Sequence, residues 1–354
     1  MDRIEESKLK VKSVRSLLEK TGNDGIVIRK QANFSWISSG GRGFIGLSSE
    51  NACAAIVVTK NGVYIGGNNI EVPRLIAEEF PKGFAEPLML PWQDDGTLDD
   101  VLKKKFGKLS NDNEHDAWFK EKRVNLMECE EARFAKLGKI SAQVLEDVCA
   151  SLKPGTSEME IAGRISDGYW AAGIEPIVLL IAADDRSSQV RHYVPTNKKV
   201  KTGVICSICA RGGGLVASAT RTVAFSKDFA KCYGQLLKVE QATFEALKPG
   251  TVLGELFKTM CDAYTKNGLG GEWENHHQGG LTGYLAREIV VFPGTKDKAA
   301  AHQAFALNPS AVGAKCEDTV LVGENGKLTV LTKTGKDWPT VKVGSMLRPD
   351  ILRK

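Results

Sequence analysis

No stretch of the 354-residue sequence is apolar for long enough to cross a bilayer. The opening Met-Asp-Arg-Ile-Glu-Glu is charged and acidic, whereas a secretory signal needs a basic start and an apolar core. These absences predict a cytoplasmic chain with no membrane partner. A strong charge of one sign is missing too. The formal net charge is +5, with Lys and Arg scattered along the chain. The densest basic stretches, Lys8 to Lys20 and Lys103 to Lys108, read as solvated helix faces, so no nucleic-acid partner is expected. A disulfide framework is also not expected, because the eight cysteines of a cytoplasmic chain stay reduced. Cys206 and Cys209 have the Cys-x-x-Cys spacing, but no second pair lies nearby to complete a zinc site. They sit in the strand-like run Val204 to Ala210 and read as small core residues.

What is present fits a two-domain globular chain. Hydrophobic residues make up 42% and charged residues 26%, and the length exceeds one compact core. Residues 4 to 20 carry apolar positions at helical spacing, at Ile4, Leu9, Val11, Val14, Leu17 and Leu18. Short strands are expected at 26–29 and 33–37, followed by the Gly-rich turn Ser39 to Gly43. Residues 52–59 and 63–67 read as a hairpin closed by Asn61-Gly62, and the next helix covers 73–80. Residues 106–118 are polar and without pattern, which puts a boundary just after them. The expected domains are therefore 1–122 and 123–354.

The second domain opens with a long helix, about 127–152, stopped by Pro154-Gly155. An N-cap at Thr156-Ser157 with Glu158 and Glu160 starts another, reaching Ala172. A strand follows at 176–183, a second is approached at 191–196, and 198–225 is rich in strand formers. Helices are expected at 232–247 and 252–266, then short strands and loops. Two stretches echo each other: Leu152-Lys-Pro-Gly-Thr156 and Leu247-Lys-Pro-Gly-Thr251, each leading into a helix. The echo predicts a duplicated helix-turn-helix unit and a pseudo-symmetric domain.

That repeated turn and three later motifs resemble the creatinase, prolidase, aminopeptidase P and methionine aminopeptidase family. The resemblance covers nearly the whole chain, with Asn33 to Gly41 resembling part of the creatinase-type N-terminal domain. It implies an α+β fold: a small α/β creatinase-type domain followed by a pita-bread domain. Family peptidases hold two divalent metals with two Asp, one His and two Glu. Here the tail of one Asp motif is intact as Ser218-Ala-Thr-Arg-Thr222, but Ser218 replaces the second Asp and Ser207 the first. His277, in His276-His-Gln-Gly-Gly-Leu281, matches the metal-binding His. Asn308, in Phe305-Ala-Leu-Asn-Pro309, replaces one Glu, and Glu317 matches the other. Neutral side chains are poor ligands for hard dications. The resemblance therefore implies no dinuclear cofactor, while leaving a single divalent metal on His277 and Glu317 open.

His192, in Arg191-His-Tyr-Val-Pro-Thr196, resembles the family His that binds substrate. In creatinase, which works without metal, the matching His is the general acid/base. Creatinase carries a Glu where this chain has Ala219, so creatine is not the expected substrate. The expected machinery is His192 or His277 as a base near neutral pH, with Glu317 orienting it or binding a cationic group. Arg221 would hold Glu317 or a substrate carboxylate, and Ser218 or a water would attack. His276, Ser207, Asn308, Tyr284, Arg287 and Glu288 are expected around the same small-molecule or peptide-like substrate. Arg42, on the Gly-rich turn, would reach the partner's site in a homodimer. Structural roles stand beside these: Arg221 as a buried fork, and the adjacent histidines as a polar cluster. Three functions remain: a metal-independent hydrolase of a C–N bond, a non-catalytic pseudo-peptidase, and a peptidase with an altered single-metal site.

Overall fold

The computed structural model describes all 354 residues. They form two compact units, Met1–Arg123 with Gly213–Leu215, and Val124–Gly212 with Val216–Lys354.

The first unit begins with helix Arg3–Thr21. Asp2 accepts from the Ile4 and Glu5 amides while Glu5 reaches back to the Asp2 amide, so the first turn is capped from both sides. Val11, Val14, Leu17 and Leu18 are buried, and Gly22, at φ 66°, ends the helix. A five-stranded sheet runs in the order Glu86–Leu90, Val63–Asn68, Asn51–Thr59, Gly25–Lys30, Leu109–Asn111. Its central hairpin closes at Asn61-Gly62. Two expectations need correction. Residues 33–37 are not a strand but part of helix Gln31–Ile37, every residue of which is buried. A helix buried all round loses its amphipathic period, and a short apolar run then looks like a strand. Residues 106–118 also have structure: Leu109–Asn111 pairs in parallel with Gly25–Val27, and helix Asp116–Val124 follows. Three residues are too few to show a period. Asp112 closes this edge by accepting from the Arg29 and Lys30 amides and from Asn33 Nδ2.

The second unit consists of two similar halves. Helices Glu128–Ser151 and Glu158–Ala171 lead to strands Glu175–Ala183, Gly203–Gly212 and Leu215–Ala224. Helices Tyr233–Ala246 and Leu253–Lys266 lead to strands Gly279–Thr282, Ala304–Leu307 and Asp318–Val322. The echoing turns make the same backbone bonds. Gly155, at φ 94°, donates to the Val200 carbonyl at 2.8 Å; Gly250, at φ 90°, donates to the Ala299 carbonyl at 2.8 Å. Val200 returns a bond to the Thr156 carbonyl, and Ala299 returns one to Thr251. Both glycines occupy a left-handed conformation that disfavours a side chain. Residues 191–196 make no strand. Instead Glu158 pins this loop, accepting from the Thr196 amide at 2.8 Å and its hydroxyl at 2.7 Å.

The halves meet in a core that includes Leu236, Phe244, Leu256, Tyr264, Leu281, Phe305 and Val320. They also meet at the backbone, where the Thr220 amide donates to the Glu317 carbonyl at 3.0 Å. Beside this bridge lies a buried charge network. Arg221 binds Glu146 at 2.7 Å and Asp318 at 3.2 Å, and Arg348 binds the other Asp318 oxygen at 2.8 Å and also Glu240. Removing one partner of such a network leaves an uncompensated buried charge. Asp318→Asn is therefore expected to destabilise the protein by about 3–5 kcal/mol in denaturant unfolding. A change below 1 kcal/mol (roughly the value of an exposed pair) would show that the two arginines do not depend on Asp318.

Candidate functional site

The adjacent histidines follow the short turn Glu272–Asn275 and precede strand Gly279–Thr282. Gln278 anchors them. Its amide nitrogen donates to the Trp273 and His276 carbonyls, and its oxygen accepts from the Tyr264 hydroxyl at 2.7 Å. The glycines after it are required by space. A Cβ on Gly279 would lie 2.1 Å from the Ala306 carbonyl oxygen, and one on Gly280 would lie 2.0 Å from that of Ile289. The strand thus fits tightly between its neighbours and fixes where the histidines emerge. His192 comes from the loop that Glu158 pins, between Arg191, paired with Glu272, and buried Tyr193.

Three of the five histidines converge here. Nε2 of His192 lies 3.2 Å from Nε2 of His276. His276 and His277 stack with centroids 4.4 Å apart, and His192 meets His276 edge-on at 84°. Glu317 lies at the sheet junction and is almost fully buried. It accepts from Arg287 Nη2 at 2.8 Å, Lys315 Nζ at 3.1 Å and the Thr220 hydroxyl at 3.2 Å. Thr220 continues to Ser207 at 2.8 Å, and Arg287 Nη1 reaches Ser218 at 3.4 Å.

Burial sets the protonation of the imidazoles. Desolvation, reinforced by Lys315, pushes His276 down to about 2. Although part of its ring is exposed, His277 is pushed to about 4, first by desolvation and then by Arg287 and Lys315. His192 is lowered by desolvation and Lys315, with Glu317 opposing. All three are neutral at pH 7, and each is a weaker base than the near-neutral one expected from the sequence. Burial also works against the charges of Glu317 and Lys315. Their mutual attraction outweighs it, with Arg287 adding to Glu317, so the carboxyl stays below and the ammonium above its ordinary value.

Several expected roles change. Arg221 does not hold Glu317 and is not open to substrate. It is fully buried on Glu146, Asp318 and the Thr332 carbonyl, so it is the structural fork. Glu317 makes no hydrogen bond to any of the three histidines, and it acts on His192 and His277 through charge alone. Ser218 is buried and donates to Cys209 Sγ at 3.2 Å, so its hydroxyl is not available to attack. Ser207 is likewise buried, bonded to Thr220 and 3.4 Å from the Tyr193 hydroxyl. Tyr284 is buried on Glu130, and Glu288 accepts from the Tyr284 and Leu285 amides; both serve the fold. Asn308 is buried with Oδ1 unpartnered. Arg42 lies in the first unit, where Glu79 accepts from its amide and its guanidinium.

Lys315 is the residue that sequence reasoning missed. Its signal was present: in an extended segment, residues two apart share a face, so Lys315 and Glu317 meet. The donor set does not fit the family's two dications. Ser207, Ser218 and Asn308 offer only neutral oxygens, and Glu317 already gives one oxygen to Arg287 and the other to Lys315. The same engagement counts against one ion shared by His277 and Glu317. Glu317→Gln would leave two enclosed cations without a countercharge, so a loss of about 3–5 kcal/mol is expected. Because Glu317 now raises His192 and His277, both should titrate still lower in NMR spectra. Unchanged titration would remove Glu317 from the site.

Four similarities bear on identity. A model of metallopeptidase family M24 matches residues 132–324. The probable dipeptidase PepE of Mycobacterium tuberculosis is 25% identical over 216 residues, 55% of this chain and 54% of that protein. The chain thus matches about half the length of PepE. The Xaa-Pro dipeptidase of Pyrococcus horikoshii is 23% identical over 93% of this chain and 98% of its own. The crystal structure of a prolidase from Pyrococcus horikoshii OT3 superposes with a TM-score of 0.75 at 20% identity, covering 93% of this chain and 99% of the prolidase. The mixed helix and sheet content and this likeness agree with the α+β, creatinase-type pita-bread architecture expected from the motifs. The chain belongs to metallopeptidase family M24.

Proposed function

We propose that this chain hydrolyses a C–N bond in a small or peptide-like substrate without the paired metal ions of its family. One observation carries the reading: Glu317, the surviving carboxylate, is neutralised by Arg287 and Lys315. Neutral imidazoles beside those cations suit proton transfer next to a developing negative charge. His192, open to solvent and 3.2 Å from His276, takes a proton from water. The water oxygen attacks the carbonyl carbon, and the carbonyl oxygen becomes an oxyanion. Arg287, 2.8 Å from Glu317, supplies positive charge on that side of the site. The proton on His192 then passes to the leaving nitrogen as the C–N bond breaks. The relatives are named dipeptidases, so dipeptides, including Xaa-Pro, are the first substrates to try.

The depressed imidazoles also favour a second reading, a non-catalytic pseudo-peptidase that binds a ligand in the same pocket. Turnover separates the two. His192→Ala should lower kcat by about 10²–10⁴-fold while the fold is kept, and a chelator should not lower wild-type turnover. A base with a lowered pKa stays deprotonated further into acid. The acid limb of the rate profile should therefore have its midpoint below 6.5. Two tightly held ions whose removal stops turnover would defeat the reaction reading. No hydrolysis of any dipeptide by either form would support the binding protein.

A cytoplasmic homodimer belongs to the same proposal, on the resemblance of the first unit to creatinase-type domains, with Arg42 facing the partner's pocket. Light scattering should give twice the chain mass; a single-chain mass would exclude that role for Arg42.

A further inference from the structure

The three imidazoles are not the ligand set that the family resemblance transfers, which takes only His277. Their ligand nitrogens all lie within 4.8 Å of one another. The 3.2 Å between His192 Nε2 and His276 Nε2 is informative. A tetrahedral zinc ion with Zn–N bonds near 2.05 Å holds its nitrogens roughly 3.3 Å apart, so one edge of such a site already has its length. His276 Nδ1 is buried without a partner, so no protein group holds a proton on that nitrogen. The Gly279 amide donates to His277 Nδ1 at 3.4 Å, a long and weak bond that metal binding would break. His277 and Gln278 leave the turn just before the tight Gly279-Gly280 strand, and Glu158 pins the His192 loop, so both sides are held in place.

We propose that His192, His276 and His277 bind one zinc-class dication, with water as the fourth ligand. The site lacks anionic oxygen, which selects imidazole-seeking ions over magnesium, calcium or manganese. Lys315 and Arg287 oppose the ion, Glu317 offsets one of these charges, and Arg191 is balanced by Glu272. Net repulsion weakens the hold on the ion, so it is exchangeable. An ion on all three rings occupies the His192 lone pair. It therefore inhibits the proposed hydrolysis instead of driving it, a consequence that rests on the preceding reading, whereas the binding does not.

The test uses the chelator-treated full chain. Titration with Co²⁺ should give the intense visible bands of a four-coordinate ion, and Zn²⁺ should displace it at one equivalent per chain. His192→Ala and His276→Ala should each weaken binding about tenfold or more. His302→Ala, which alters a histidine held by Glu131 and Glu324, should leave it unchanged. His192 is exposed on a loop, so its variant keeps the fold, as a thermal melt would verify. Absence of the cobalt bands would reduce the 3.2 Å contact to an N–H···N hydrogen bond and overturn the site. Binding that survives His192→Ala would overturn it too, by placing the ion elsewhere. Failure to bind any ion leaves the metal-free reaction standing. Two ions required for turnover would sink that reaction instead, so the two failures are distinct.

Discussion

Asp318 gives one carboxylate oxygen to Arg221 and the other to Arg348, and none of the three side chains reaches solvent. Arg221 extends the network to the first helix pair through Glu146, and Arg348 extends it to the second through Glu240. Three acids face two bases, and burial leaves Glu240 raised to about 7. Glu317 precedes Asp318 and is turned to the opposite face, as alternation along an extended chain requires. The same segment thus braces the two halves behind and presents the site in front. Its front face carries Lys315 and Glu317, while its rear carries Cys316 and Asp318, all buried.

The chemistry of the front face follows from charge balance. An enclosed carboxylate needs positive charge beside it. Here a guanidinium and an ammonium supply it, at 2.8 and 3.1 Å. Ser207, Ser218 and Asn308 are neutral, and carboxylates at these places would demand further cations. Two hydroxyls instead make local hydrogen bonds, Ser207 to Thr220 and Ser218 to Cys209. The imidazoles then meet a site with surplus positive charge, which together with burial keeps them neutral.

Much of this was legible in the sequence. The repeated Leu-Lys-Pro-Gly-Thr turns revealed the duplicated architecture because their glycines need unusual backbone angles, which leave a compositional mark. The motif around Glu317 singled out a carboxylate that lies in the site. What escaped were contacts between segments distant in sequence. Arg221 joined Glu146 and Asp318 instead of Glu317, 75 and 97 residues away. Tyr284 and Glu288 lie close to the histidines along the chain, yet Tyr284 bonds Glu130 and Glu288 accepts from the Tyr284 and Leu285 amides. Proximity in sequence did not imply a shared pocket. Imidazole basicity was missed for a similar reason, since desolvation depends on packing that no motif encodes. Helix Gln31–Ile37 was misread because complete burial erased its period.

The paired turns hold their halves through amide-to-carbonyl bonds, with side chains largely uninvolved. An architecture specified this way leaves the residues at the junction free to change, so long as each buried charge keeps its partner. Side chains there can be exchanged in matched sets while the framework persists.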